Sequence, residues 1–316
     1  MNKVSVIGAG NVGATAVYYI AEKNIADIVM LDIVEGLPQS KALDFSHAAP
    51  LRKYNVTIQG SNDYKDIAGS DVIVFTAGVP RKPGMDRMDL MKTNVNIARS
   101  AAQAIAEYAP DAVVIVVSNP LDIISMVMLR ESGFALKKVV GMAGILDSTR
   151  FRYFIAEKLS LWPGDIMAMV LGGHGDSMVP LPRYTSVGGF PLTEMLSEKE
   201  IESLVERTRK GGGEIVSYLK KGSAYYAPAA SAAKMVEAVV KDEKRFVAAS
   251  AYLRGEYGYR DIFLGVPVLL GKNGVEKIVE LDLSPDEKAA LDSSARAVED
   301  GLRTLQSLRP DPQSAG

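Results

Sequence analysis

With no cysteine in the chain, disulfides, thiolate metal ligands and cysteine nucleophiles are excluded, and only His47 and His174 remain to carry a proton near neutral pH. His174 lies in Gly172–Gly173–His174–Gly175–Asp176–Ser177, after the apolar run 166–171. Flanking glycines remove side-chain bulk, so a flat ring and a small substrate can approach the imidazole. A free pKa of ~6.5 suits that imidazole to taking a hydroxyl proton. A histidine in such a setting is also often structural, so its neighbours matter.

Upstream, Gly144–Ile145–Leu146–Asp147–Ser148–Thr149–Arg150–Phe151–Arg152 reads as the start of a helix. Asp147 and Arg150, at i and i+3, share a helix face. If that face lines a cleft, Asp147 can hold the His174 tautomer and stabilise its protonated form, while Arg150 takes a carboxylate in bidentate fashion. A weak surface ion pair has the same spacing. Both readings stay open on sequence alone.

Gly8–Ala9–Gly10–Asn11–Val12–Gly13 follows an apolar strand and opens a helix, and Asp32 ends the next strand. The glycines allow a tight turn and close approach of backbone to a pyrophosphate at a helix N-terminus, and the carboxylate can accept from ribose hydroxyls. GxGxxG alone is weak; with the strand, the helix and Asp32 it is strong. A carboxylate at 32, followed by Ile33 and Val34, repels a 2′-phosphate, which favours NAD over NADP. Gly78–Val79–Pro80–Arg81–Lys82–Pro83–Gly84–Met85–Asp86–Arg87 also follows a strand. Its Arg81 and Arg87 read either as cations on a closing loop or as a basic solvated segment. In Val117–Ser118–Asn119–Pro120, Asn119 offers an amide to a substrate oxygen or the nicotinamide ribose, or simply turns the chain.

These groups need elements to position them. The runs 3–7, 27–31, 72–76, 112–117 and 138–142 are short and apolar, with helix-length segments at 12–24, 35–48, 89–108 and 121–132 between them. That alternation predicts an α/β fold, an N-terminal Rossmann domain with a doubly wound parallel sheet. The second half has a strand-like run at 166–171, helices at 197–220 and 228–241, strands at 245–253 and 262–270, and a helix at 285–307 capped by Ser284 and Pro285. It predicts a C-terminal mixed α+β domain for substrate and catalysis. A length of 316 residues suits two domains, divided as 1–143 and 144–316. The tail from Arg309 has nothing to pack and is expected to fray.

A formal charge of −2, from 36 Lys and Arg against 38 Asp and Glu, gives no overall attraction to nucleic acid or anionic lipid. No uncharged apolar stretch of ~18 residues suggests a membrane span, and no signal peptide is recognisable at the start, so a cytoplasmic protein is expected.

Taken in order, GAGNVG, VPRKPGMDR, VSNP, GILDSTRFR and GGHGDS closely resemble the lactate/malate dehydrogenase family, particularly its lactate-dehydrogenase-like malate branch, over essentially the whole chain. The resemblance implies hydride transfer between NAD and a 2-hydroxy acid. His174 would be the proton donor and acceptor, with Asp147 its partner. Arg150 would anchor the C1 carboxylate, Arg87 would polarise the reacting oxygen, and Asn119 would assist substrate and cofactor. Residues Gly8, Ala9, Gly10, Asn11, Val12, Gly13, Asp32, Asn94 and Val117 would contact NAD. His47 matches a non-catalytic helical segment.

Arg81 stands where lactate dehydrogenases of this family usually have Gln and malate dehydrogenases Arg, which implies a dicarboxylate, malate or oxaloacetate. Ala224, where lactate dehydrogenases usually carry Thr, fits a larger pocket. The resemblance also implies a homo-oligomer, dimer or tetramer. Rival readings are a lactate dehydrogenase with an unusual loop and a non-catalytic NAD sensor; an NAD-dependent glycosidase lacks its usual Cys/His metal site.

Overall fold

The computed structural model describes residues 2–79 and 87–307, so Arg81 and the tail from Leu308 lie outside the described residues. In the first half β1 (Lys3–Ile7), α1 (Asn11–Glu22), β2 (Asp27–Leu31), α2 (Leu37–Arg52), β3 (Ile58–Ser61), β4 (Val72–Phe75), α3 (Arg87–Tyr108), β5 (Val113–Val116), α4 (Leu121–Ser132) and β6 (Val139–Gly141) follow one another. All the pairings among these strands are parallel, in the order β6-β5-β4-β1-β2-β3. Every residue of β4 and β5 is buried, as strands covered by helices on both faces must be. The strand order reverses beside β1, and a ligand crevice is expected there at the strand C-termini.

The second half runs α5 (Gly144–Leu159), β7 (Ile166–Met167), β8 (Val170–Leu171), β9 (Val179–Pro180), β10 (Ser186–Val187), β11 (Phe190–Pro191), α6 (Leu192–Met195), α7 (Glu198–Leu219), α8 (Tyr226–Val240), β12 (Arg245–Arg254), β13 (Arg260–Gly271), β14 (Gly274–Ile278) and α9 (Pro285–Ser307). The run 166–171, expected as one strand, is two. β7 pairs with β10 and β8 with β9, because the chain changes partners at Ala168 and Met169. Both long helices of this half that begin after a serine carry a capping box. Ser197 exchanges hydrogen bonds with Glu200 at the start of α7, and Ser284 with Glu287 at the start of α9.

Sequence periodicity did not disclose that the two halves share a sheet. β12, β13 and β14 form an antiparallel meander whose first strand meets β6 at Ser250 and Gly141, so nine strands among the described residues make one sheet. A single apolar core accordingly runs from Val6 and Ile115 to Leu264 and Leu291, and a smaller one, built on Phe151, Ile155, Ile166 and Leu192, sits under α5 and α7. At the seam a Cβ on Gly141 would lie 2.8 Å from the Ser250 Cβ and 3.1 Å from the Ser125 hydroxyl. The seam closes because residue 141 has no side chain. Gly141→Val should therefore destabilise the fold by about 1–3 kcal/mol, as overpacked cores do, seen as a lower urea midpoint.

Candidate active site

The glycine turn between β1 and α1 is built for close approach. Gly8 has φ +106°, and a Cβ on Gly13 would lie 1.8 Å from the Gly8 carbonyl oxygen, so the helix packs directly on the strand end. Gly10 caps α1 with no side-chain hydrogen bond, and a Cβ there would have no neighbour within 4 Å. No neighbour therefore crowds the start of α1 at Gly10. Asp32 stands beside it, its carboxylate accepting from the Ala9 N–H at 2.6 Å and the Val34 N–H at 3.0 Å. Lys41 of α2 reaches the same turn and donates to the Ala9 carbonyl at 2.6 Å, a contact that no local motif announces. A helix N-terminus with a carboxylate at its edge fits a dinucleotide.

Next along the crevice, Asn94 is buried and works as a brace. Its carboxamide accepts from the Val79 N–H at 2.8 Å and donates to the Asn119 carbonyl at 2.9 Å, joining the segments that follow β4 and β5. Val117 is buried, whereas Asn119 is exposed, immediately before α4. The backbone of Arg87 opens α3.

The second half of the chain contributes a buried cluster around His174. Asp147, in the first turn of α5, is 2% exposed. One carboxylate oxygen lies 3.0 Å from His174 Nδ1, and the other accepts from Arg150 Nη1 at 3.3 Å. The surface ion-pair alternative is thereby removed, since the pair is buried and shared with the histidine. Burial by itself would lower the His174 pKa, and Arg150 acts the same way. The Asp147 charge and hydrogen bond, helped by Asp122, outweigh them and hold the imidazole above its ordinary value. With Nδ1 engaged by Asp147, Nε2 is the nitrogen left to exchange a proton.

Arg150 is desolvated, which lowers its pKa against the opposing pull of Asp147, and its buried Nε has no hydrogen-bond partner. Gly211 and Gly212 of α7 leave room for the guanidinium, which lies 3.6 Å from where a Gly212 Cβ would be. A buried cation with an unsatisfied donor beside an imidazole is suited to hold an anion. Asp122, which escaped the sequence reading, also reaches this cluster: it accepts from the His174 backbone N–H at 3.2 Å. Its only sequence signal is a lone acid in the apolar run Leu121–Asp122–Ile123–Ile124. His47 lies in α2, away from these groups.

Comparison with known proteins agrees with this geometry. Residues 2–141 match the model of the lactate/malate dehydrogenase NAD-binding domain, and residues 145–307 that of the family's alpha/beta C-terminal domain. A malate dehydrogenase of Thermomicrobium roseum is 56% identical over 97% of this chain and 99% of its own, and one of Methanosarcina mazei is 54% identical over 97% and 100%. Among solved structures, the apo malate dehydrogenase of Picrophilus torridus superposes with a TM-score of 0.95 at 44% identity, covering 97% of this chain and 98% of that one. Two Cryptosporidium parvum structures match about equally. Its malate dehydrogenase gives a TM-score of 0.94, covering 97% and 99% of the two chains, and its lactate dehydrogenase with lactic acid and cofactor gives 0.93, covering 98% and 99%, each at 43% identity. On its sequence and its fold, the chain belongs to the lactate/malate dehydrogenase family and is an oxidoreductase with that family's NAD-binding domain.

Proposed function

We propose that the chain interconverts (S)-malate and oxaloacetate with NAD, residues 1–143 holding the cofactor and 144–316 the substrate. The observation that carries this reading is the sharing of one buried carboxylate, Asp147, between a proton carrier and a cationic anchor. Gly8, Ala9, Gly10, Asn11, Val12, Gly13 and Asp32 would hold NAD, together with Asn94, Val117 and Asn119. Bound NAD supplies the hydride acceptor.

The chain's own residues do the rest. Arg150 takes the C1 carboxylate with its free donors, and the exposed Asn119 amide donates to a substrate oxygen. His174 Nε2 removes the C2 hydroxyl proton, and Asp147 stabilises the imidazolium that results. In reverse, protonated His174 returns the proton to the carbonyl oxygen, with Arg87 assigned from sequence to polarise it.

Backbone likeness does not separate malate from lactate, since dehydrogenases for both match this chain closely. The preference for malate rests on Arg81, assigned from sequence, and on the names of the similar enzymes in T. roseum and M. mazei. A desolvated arginine facing pyruvate, with no second carboxylate, would cost about 3–5 kcal/mol. No helix among the described residues is long and apolar enough to cross a membrane. Exposed Leu51, Trp162 and Phe190 supply apolar surface for a homo-oligomer, dimer or tetramer.

His174→Asn should lower turnover by about 100- to 10,000-fold while NADH binding, followed by fluorescence titration, stays nearly unchanged; a variant keeping most activity would sink the assignment. Arg81→Gln should shift the oxaloacetate-to-pyruvate ratio of kcat/KM toward pyruvate by about 100-fold or more, and an unchanged ratio counts against the dicarboxylate reading. Oxaloacetate reduction needs protonated His174, whose pKa is raised, so its kcat/KM should hold at low pH and fall as pH climbs through that raised value. Malate oxidation should show the opposite limb. A midpoint at or below that of a free imidazole in both directions would contradict the role given to Asp147.

A further inference from the structure

Three consecutive backbone N–H groups suspend the histidine loop, each from a different element. Gly172 donates to the Gly265 carbonyl of β13 at 2.8 Å, Gly173 to the Ser294 hydroxyl of α9 at 2.8 Å, and His174 to the Asp122 carboxylate of α4 at 3.2 Å. The other oxygen of Asp122 accepts from the Ser250 hydroxyl of β12 at 2.6 Å. A Cβ on Gly173 would lie 3.3 Å from Asp122 Oδ2 and 3.0 Å from a methyl of Val298. The carboxylate can come under the loop because residue 173 carries no side chain.

Asp122 is 6% exposed and flanked by the buried Leu121 and Ile123. Two donors, one hydroxyl and one amide, could be satisfied by a neutral asparagine without the desolvation cost of a charge. A buried carboxylate at this place therefore calls for an electrostatic role, and the nearby group that benefits is the imidazole. We propose that Asp122 is a positioning residue, which ties the backbone of the His174 loop to the helix that follows Asn119 and brings a second carboxylate to the histidine.

Among the described residues, the charged groups that act on the imidazole come from two helices. Asp147 and Arg150 come from α5 and Asp122 from α4, while β12 and α9 contribute the neutral hydroxyls of Ser250 and Ser294. Burial pushes the Asp122 pKa up to about 6, with Asp147 adding to the rise. The hydrogen bonds from Ser250 and the His174 N–H, and the His174 charge, pull the other way. The charge on Asp122 is coupled to the proton on His174. Its effect on turnover rests on the function proposed above; its effect on the imidazole does not.

Because His47 and His174 are the only histidines, imidazole NMR of the whole protein follows two titrations, assigned by the spectrum of His174→Asn. Asp122→Asn keeps an acceptor for the His174 N–H and a partner for Ser250 but removes the charge. In the ligand-free protein it should lower the His174 midpoint by about half a pH unit or more, leaving His47 in place as the internal reference. The alkaline limb of oxaloacetate reduction should move acidward by the same amount. An unmoved His174 midpoint in the folded variant overturns the proposal. A lowered midpoint in a protein with no turnover supports it and leaves only the functional reading at fault. If Asp122→Asn does not fold, Ser250→Ala decides by the same spectrum. It removes a donor that favours the charged carboxylate, so a lower His174 midpoint supports the proposal and an unmoved one overturns it.

Discussion

Asp147 is a carboxylate almost wholly removed from water, and His174 and Arg150 flank it on either side. Much of the rest of the site follows from that arrangement. The anion raises the proton affinity of the imidazole, sets which ring nitrogen is free, and holds the first turn of α5 so that Arg150 leans into the same cleft. Buried ion pairs gain little net stability over apolar packing, because desolvation offsets most of the attraction. The cluster is better understood as chemistry kept in place than as a source of fold stability.

Keeping it in place falls to the sheet. The histidine loop belongs to the second half of the chain and the glycine turn after β1 to the first, so any chemistry that joins them requires the two halves to hold a common frame. β12 provides it by pairing with β6 at the side-chain-free Gly141, and β13 then holds Gly172 from the same sheet. α4, which begins two residues after the exposed Asn119, adds a direct tie through Asp122 to the His174 backbone. Asn94 performs a similar service between the segments after β4 and β5.

The parts legible in the sequence are those whose physics is local. Apolar runs mark the buried central strands, and the glycine spacing marks the tight turn between β1 and α1. β3 (Ile58–Ser61) was missed because Ile-Gln-Gly-Ser is a half-exposed edge strand with little apolar signal, and β14 (Gly274–Ile278) for a similar reason. The run 166–171 looked like one strand because composition cannot show a change of partners in mid-run.

By itself the sequence determined the residue types: one histidine in a glycine setting, a carboxylate and an arginine at i and i+3, and a glycine turn answered by Asp32. Helix and turn geometry follow from neighbours a few residues apart, so these could be read directly. Only the tertiary structure decided that Asp147 is buried against His174, 27 residues away, and that Asp122 meets Ser250 across 128. Such pairings depend on how strands β6 and β12 meet and how α4 packs beneath the loop. No periodicity along the chain encodes them, because they arise from which surfaces are buried together.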